Sequence, residues 1–211
     1  EVKDEKNMIL IGFIGFLDPP KESAKEAVER MNRAGIRVIV LTGDNAEVTK
    51  CICDKVNIKS KNIILGSELD KLSDVAVHRL IKKNNIFAKL SPIQKARIVR
   101  LLKEQGNVVG YMGDGINDSP SLTNSDVGIS VDTAVDIAKE SADIILLEKD
   151  LNVLLDGVTE GRKTFANLMK YIKMATSFNF GEVLSVIVAS VALPFLPETP
   201  IQLLVEGLLY D

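Results

Sequence analysis

The residues 113–118, Gly-Asp-Gly-Ile-Asn-Asp, place two carboxylates, Asp114 and Asp118, four positions apart behind the apolar run 107–112. Paired carboxylates at the end of a strand are hard oxygen ligands, suited to a Mg²⁺ ion held together with substrate phosphate. The flanking glycines permit the tight turn and leave room for the ion. Two further segments carry complementary chemistry. Thr42-Gly43-Asp44-Asn45 offers a hydroxyl and backbone amides at the start of a helix, a fit for phosphate oxygens. Lys95, early in the next-but-one helical segment, presents a fixed positive charge to an anion. Each has a plainer reading alone: a helix cap for Asn45, a surface charge for Lys95, a common turn for Gly-Asp-Gly. Their order along the chain, each at a strand end, favours a phosphate site.

The elements that must position these groups follow from hydrophobic patterning. Residues 8–17 read as a buried strand closed by Asp18-Pro19-Pro20. Residues 21–34 have helical spacing, with Ala24, Ala27, Val28 and Met31 on one side and Gly35 as the stop. Strands are expected at 36–42, 63–65, 86–90, 107–112, 126–131 and 143–148. Helices are expected from Asn45 to about Val56, over 73–83 and over 92–105. This alternation predicts an α/β parallel sheet covered on both faces, with ligands at the carboxyl ends of the strands. No internal repeat or low-complexity segment interrupts it.

Composition narrows the function. The net charge of −3 over 211 residues offers no polyanion-binding surface, so nucleic acid is not an expected partner. The two cysteines, Cys51 and Cys53, are spaced poorly for a mutual disulfide and read as free thiols. The single histidine, His78, reads as a solvated surface residue, which argues against chemistry built on a histidine base. From about Leu151 to Leu193 there is no proline, and from Met174 to Pro197 the only charge is Glu182. That length suffices to cross a hydrocarbon core of roughly 30 Å. Lys163, Lys170 and Lys173 precede the apolar part as a basic cytoplasmic flank. Residues 193–200 read as a hairpin turn, and 201–211 as the start of a second apolar helix. The chain begins at Glu1 rather than methionine and ends at Asp211 soon after an apolar run, so it reads as cut from something longer.

Thr42-Gly43-Asp44, Lys95 and Gly113-Asp114-Gly115-Ile116-Asn117-Asp118-Ser119-Pro120 resemble the later motifs of haloacid-dehalogenase-like phosphotransferases. With Asp18-Pro19-Pro20 in front, the set is similar to the phosphorylation domain of P-type ATPases, in which ATP phosphorylates the aspartate of a DKTGT sequence. The resemblance implies that Asp114, with Asp118, binds the catalytic Mg²⁺. It also implies that Asn117 and Asp118 organise the site, and that Thr42 and Lys95 hold the phosphoryl group beside Gly43 and Asp44. It extends into the membrane segments, where 177–186 is similar to the fifth transmembrane helix of cation pumps. Asn179, Glu182 and Asp211 then become ligands of the transported cation, although Gly207 stands where calcium pumps have an asparagine. General similarity over 130–210 is closest to bacterial magnesium-transporting P-type ATPases, which import Mg²⁺; a pump for Ca²⁺ or another divalent cation is the nearest alternative.

The organisation implied is a haloacid-dehalogenase-like sheet, incomplete, over 1–150. A stalk helix follows over 151–173, then a transmembrane helix over 174–196 and a truncated one over 200–211. Residues 1–173 are then cytoplasmic and the whole is a multi-pass protein of the cell membrane. Its partners are the lipid bilayer, a divalent cation, and the nucleotide-binding domain, actuator domain and other transmembrane helices of the same pump. ATP is bound mainly by those domains. No DKTGT occurs in these residues, so the chain alone is expected to be inactive. A soluble phosphatase of the same superfamily would need a DxD sequence, which is also absent, and a membrane-anchored remnant acting only through interaction is the non-catalytic rival.

Overall fold

The computed structural model describes residues 9, 11–12, 19–195 and 199–210. The strand expected over 8–17, the Asp18 that follows it and Asp211, which is expected to be a cation ligand, therefore lie wholly or mainly outside the described residues. Two compact units divide the chain, Glu1–Leu155 and Asp156–Asp211.

In the first unit, strands and helices alternate: α1 (Glu22–Arg33), β1 (Val40–Leu41), α2 (Ala46–Lys55), β2 (Ile63–Leu65), α3 (Gly66–Leu69), α4 (Asp74–Lys83) and β3 (Ile86–Ala88). There follow α5 (Pro92–Glu104), β4 (Gly110–Met112), α6 (Ser119–Asn124), β5 (Val127–Val131), α7 (Asp136–Glu140), β6 (Ile144–Leu146) and the first turn of α8 (Leu151–Ala192). All strand pairs are parallel, as the helical crossovers require, and they form two ladders of order β1-β3-β2 and β4-β5-β6. The central strands β3 and β5 are the buried ones, and they carry the continuous apolar runs.

The edge strands behave differently. The run 36–42 is expected to be a full strand, yet only Val40 and Leu41 are assigned to it, and among the described residues β1 pairs with β3 alone. At the far edge, Ile144 and Ile145 of β6 are exposed and only Leu146 is buried. The short helices α3, α6 and α7 also go beyond the sequence expectation. Phe87 is fully buried at the centre of the first core, with Leu69, Ile81, Ile98 and Leu101 around it. Tyr111, Leu122, Ile129 and Val131 form the second core. Leu41 of β1 and Val109, just before β4, each pack against both cores.

Helix boundaries follow local chemistry. Ala27, Val28 and Met31 are the buried face of α1, and Gly35 ends it at φ +74°, a conformation that glycine adopts without strain. Ser91 caps α5 in a reciprocal pair with Gln94, and Pro92 sits in the first turn. Two smaller expectations divide. Cys51 and Cys53 are free thiols, and burial pushes the Cys53 thiol up to about 11. His78, however, is half-buried rather than solvated: its Nδ1 lies 2.8 Å from Gln105 Nε2 and its Nε2 3.5 Å from Glu104.

In the second unit α8 continues unbroken to Ala192, and α9 spans Pro200–Tyr210. Among the described residues α8 is the one helix long and apolar enough to cross a membrane, and its apolar stretch is unburied.

Candidate functional site

Three loops at the carboxyl ends of β1, β3 and β4 carry the polar groups singled out by the sequence. After β1, the Asp44 amide donates to Thr42 Oγ1 at 3.1 Å, and the Thr42 hydroxyl donates to Asp44 Oδ2 at 2.9 Å. Asn45 accepts from the Val48 amide at 2.8 Å and is the N-cap of α2, so the capping reading holds for that residue. The loop after β3 is tied to the first. The Lys89 amide donates to Asp44 O at 2.8 Å, and the Leu90 amide to Thr42 O at 2.9 Å. Lys89 takes φ +53°, the left-handed region that a lysine occupies only at a cost, so the close seating of these two loops is under tension.

Lys95 lies in the first turn of α5, whose N-terminus is braced from below. Gln94 Nε2 donates to Gly66 O at 3.0 Å and to Asp70 Oδ1 at 2.7 Å. Lys95 Nζ reaches across to Asp118 Oδ1 at 2.8 Å, and these side chains are 12% and 15% exposed. The same oxygen accepts from the Tyr111 hydroxyl at 2.7 Å. Asp118 Oδ2 has a single long contact, from the Gly115 amide at 3.4 Å. The close seating of Asp118 explains Gly113: a Cβ there would stand 2.5 Å from Asp118 Cβ and 2.8 Å from its Cγ. Gly113 is further fixed by Ile129 O and by the Ser130 hydroxyl, which donates to Gly113 O at 2.9 Å.

Asp114 projects differently. Its side chain is 56% exposed, and Oδ2 pairs with Lys149 Nζ at 2.8 Å. Asn117 is exposed within the 3-10 turn Ile116–Asp118. The structure thus joins Lys95 to Asp118 and Thr42 to Asp44. Tyr111 and Lys149 belong to the cluster although their sequence surroundings gave no sign of it. Tyr111 reads as one more apolar strand residue and Lys149 as a loop charge, so only three-dimensional placement assigns them. In the second unit, Asn179 and Glu182 are one helical turn apart on α8, with Asn179 exposed and Glu182 half-buried.

The donor set suits a hard cation. Asp114 is accessible and Asp118 Oδ2 is nearly free, while no group of three His, Cys, Asp or Glu side chains able to hold a metal occurs among the described residues. Mg²⁺ needs few protein ligands, since it retains water and takes phosphate oxygens as the remainder. Two carboxylates therefore fit a metal shared with a phosphoryl group better than a structural metal.

A profile described as haloacid dehalogenase-like hydrolase matches residues 2–126. Among curated proteins, "Magnesium-transporting ATPase, P-type 1" of Escherichia coli is 54% identical over 208 residues, covering 99% of this chain and 23% of its own length. "Calcium-transporting ATPase 1" of Bacillus cereus is 36% identical over 210 residues, covering 98% of this chain and 24% of that protein. A solved zinc-transporting PIB-type ATPase shares the fold, with a TM-score of 0.64 at 24% identity over 82% of this chain and 24% of its own. The chain spans about a quarter of the length of the curated relatives it matches.

Tyr111 supplies a pH-dependent test. Burial, and then its hydrogen bond to Asp118, raise its phenol well above the ordinary tyrosine value. A raised folded-state value means the contribution is complete below the unfolded value of about 10 and is lost as pH climbs above it. Tyr111→Phe is expected to cost about 1–2 kcal/mol in urea unfolding of the detergent-solubilised chain at pH 8. The mutant should then lose less stability than the parent when the pH is raised through 10. Parallel pH curves for the two proteins would refute the role given to this hydroxyl.

Proposed function

The chain belongs to the haloacid dehalogenase-like hydrolase family, and from that premise we propose that it is the C-terminal share of the phosphorylation domain of a P-type ATPase, continuing through a stalk into transmembrane helices. Residues 1–150 are assigned to that domain, 151–173 to the stalk, 174–196 to a membrane span and 200–211 to the start of the next. The observation that carries the reading is the Lys95–Asp118–Tyr111 cluster, with the accessible Asp114 four residues before Asp118 in the loop that follows parallel strand β4. The separation of the sheet supports it. β1 and β4 are each the edge of a three-stranded ladder, and Leu41 and Val109 bridge the two cores. A parallel strand from the preceding part of the pump, ending in the DKTGT aspartate, fits between those edges.

Asp114 and Asp118 would hold the catalytic Mg²⁺, which neutralises charge on the phosphoryl oxygens. The chain's own residues do the positioning on which phosphoryl transfer mainly depends. Lys95 sets a positive charge beside the phosphoryl position and holds Asp118 in place, and Tyr111 fixes the same oxygen. Thr42 and the amides of Gly43 and Asp44 offer donors to phosphate oxygens, and Asn117 organises the turn. ATP binds mainly through domains outside these residues.

The cargo assigned is Mg²⁺, moved inward across the cell membrane, with residues 1–173 in the cytoplasm. The higher identity to a magnesium-transporting relative than to a calcium-transporting one favours it, while Gly207 stands where calcium pumps have an asparagine ligand. Asn179, Glu182 and Asp211 are its proposed ligands. A carboxylate such as Glu182 inside an apolar span is expensive unless it serves an ion path.

In the full-length pump, Asp114→Asn should lower phosphoenzyme formation from labelled ATP by about 10²–10³-fold. Glu182→Ala should abolish Mg²⁺-stimulated ATPase activity while phosphate still reacts back with the enzyme. Labelling of the isolated 211-residue chain by ATP, or unchanged Mg²⁺ activation in Glu182→Ala, would overturn the corresponding half of the assignment.

A further inference from the structure

We infer that Lys149 is the resident counter-ion of Asp114 and gives up that carboxylate to a divalent cation, so that Lys149 sets the metal affinity of the site. The inference rests on the proposed role of Asp114 as a metal ligand. Lys149 lies in the loop between β6 and α8, 35 residues from Asp114 in sequence, and its Nζ stands 2.8 Å from Asp114 Oδ2. The lysine and aspartate side chains are 55% and 56% exposed.

An ion pair in such a setting is weak, contributing about 0.2–1 kcal/mol, because water screens it and two side chains must be ordered to form it. A divalent cation on the same oxygen has twice the charge of the ammonium, and the two cannot share Oδ2 at this distance without strong repulsion. On this inference the ion takes Oδ2, the oxygen that Lys149 holds, and the lysine leaves it. The contrast with Lys95 is instructive. That lysine is largely buried against Asp118, which also accepts from Tyr111, so it is built to stay.

The backbone around Lys149 is arranged so that only the side chain need move. Lys149 O accepts from Lys21 Nζ. Asp150 Oδ1 accepts from the Asn152 amide at 2.8 Å and from Asn152 Nδ2 at 3.2 Å, which anchors the first turn of α8. Asn152 Oδ1 in turn accepts from Arg30 Nη1 of α1. The loop is held while the ammonium swings on its four-carbon stem.

The test is a Mn²⁺ titration of the full chain in detergent micelles, read by paramagnetic broadening of the Gly113 and Gly115 amide signals. Position-specific signals separate this site from any ion at Glu182. Lys149→Met should lower the Mn²⁺ midpoint about two- to five-fold, the equivalent of the lost competing pair, while Lys149→Arg keeps the parent midpoint. In the parent chain, saturation with Mg²⁺ should shift the Lys149 Cε resonance, and Asp114→Asn should remove that shift. An unchanged or raised midpoint in Lys149→Met, or a Cε resonance indifferent to Mg²⁺, overturns the counter-ion role while leaving Asp114 as a ligand. Absence of broadening at Gly113 and Gly115 in the parent chain would instead overturn the metal assignment of Asp114.

Discussion

Asp118 is the group on which the site is assembled, and the Lys95 ammonium is its ion-pair partner. A carboxylate with 15% of its side chain exposed has lost most of its water, and such a charge is costly unless paired and hydrogen-bonded. Lys95 and Tyr111 together meet that need on one oxygen. Because Lys95 follows β3 and Asp118 follows β4, their pairing also joins the loops of two ladders that share no strand hydrogen bonds among the described residues. Gly113 is the geometric condition for this, since any side chain there would displace Asp118.

The second constraint is the pair of ladder edges, β1 and β4, that have no paired strand on one side among the described residues. Parallel strands gain their backbone partners from neighbours on both sides, and among the described residues β1, two residues long, has such a neighbour on one side. The apolar residues Ile39 and Leu41 remain only partly buried beside it. A half-built site and a half-paired strand therefore have one cause on the proposed reading: the strand that brings the nucleophile also completes the ladder.

Much of this was legible in the sequence, and the exceptions have physical reasons. The burial face of α1 follows from helical periodicity, the parallel α/β class from the alternation of apolar strands with helices, and the long helix α8 from a proline-free run that turns apolar. The strand-end position of Thr42, Lys95, Asp114 and Asp118 follows from the alternation of elements. Tyr111 and Lys149 were not legible, because their roles come from partners 7 and 35 residues away. The exposure of β6 and the shortness of β1 were equally hidden: apolar content does not tell an edge strand from a central one. His78 was misplaced for a related reason, since a polar-looking helix face can still be covered by a neighbouring helix terminus, here Glu104 and Gln105.

The central claim is that Lys95 and Asp118 act as one unit that holds the strand-end site together. A double-mutant cycle of Lys95→Met and Asp118→Asn in urea unfolding of the chain tests it most directly. The account predicts strong non-additivity, with a coupling of at least about 1 kcal/mol and a double mutant less damaged than the sum of the single ones. Additivity within about 0.3–0.5 kcal/mol would contradict it.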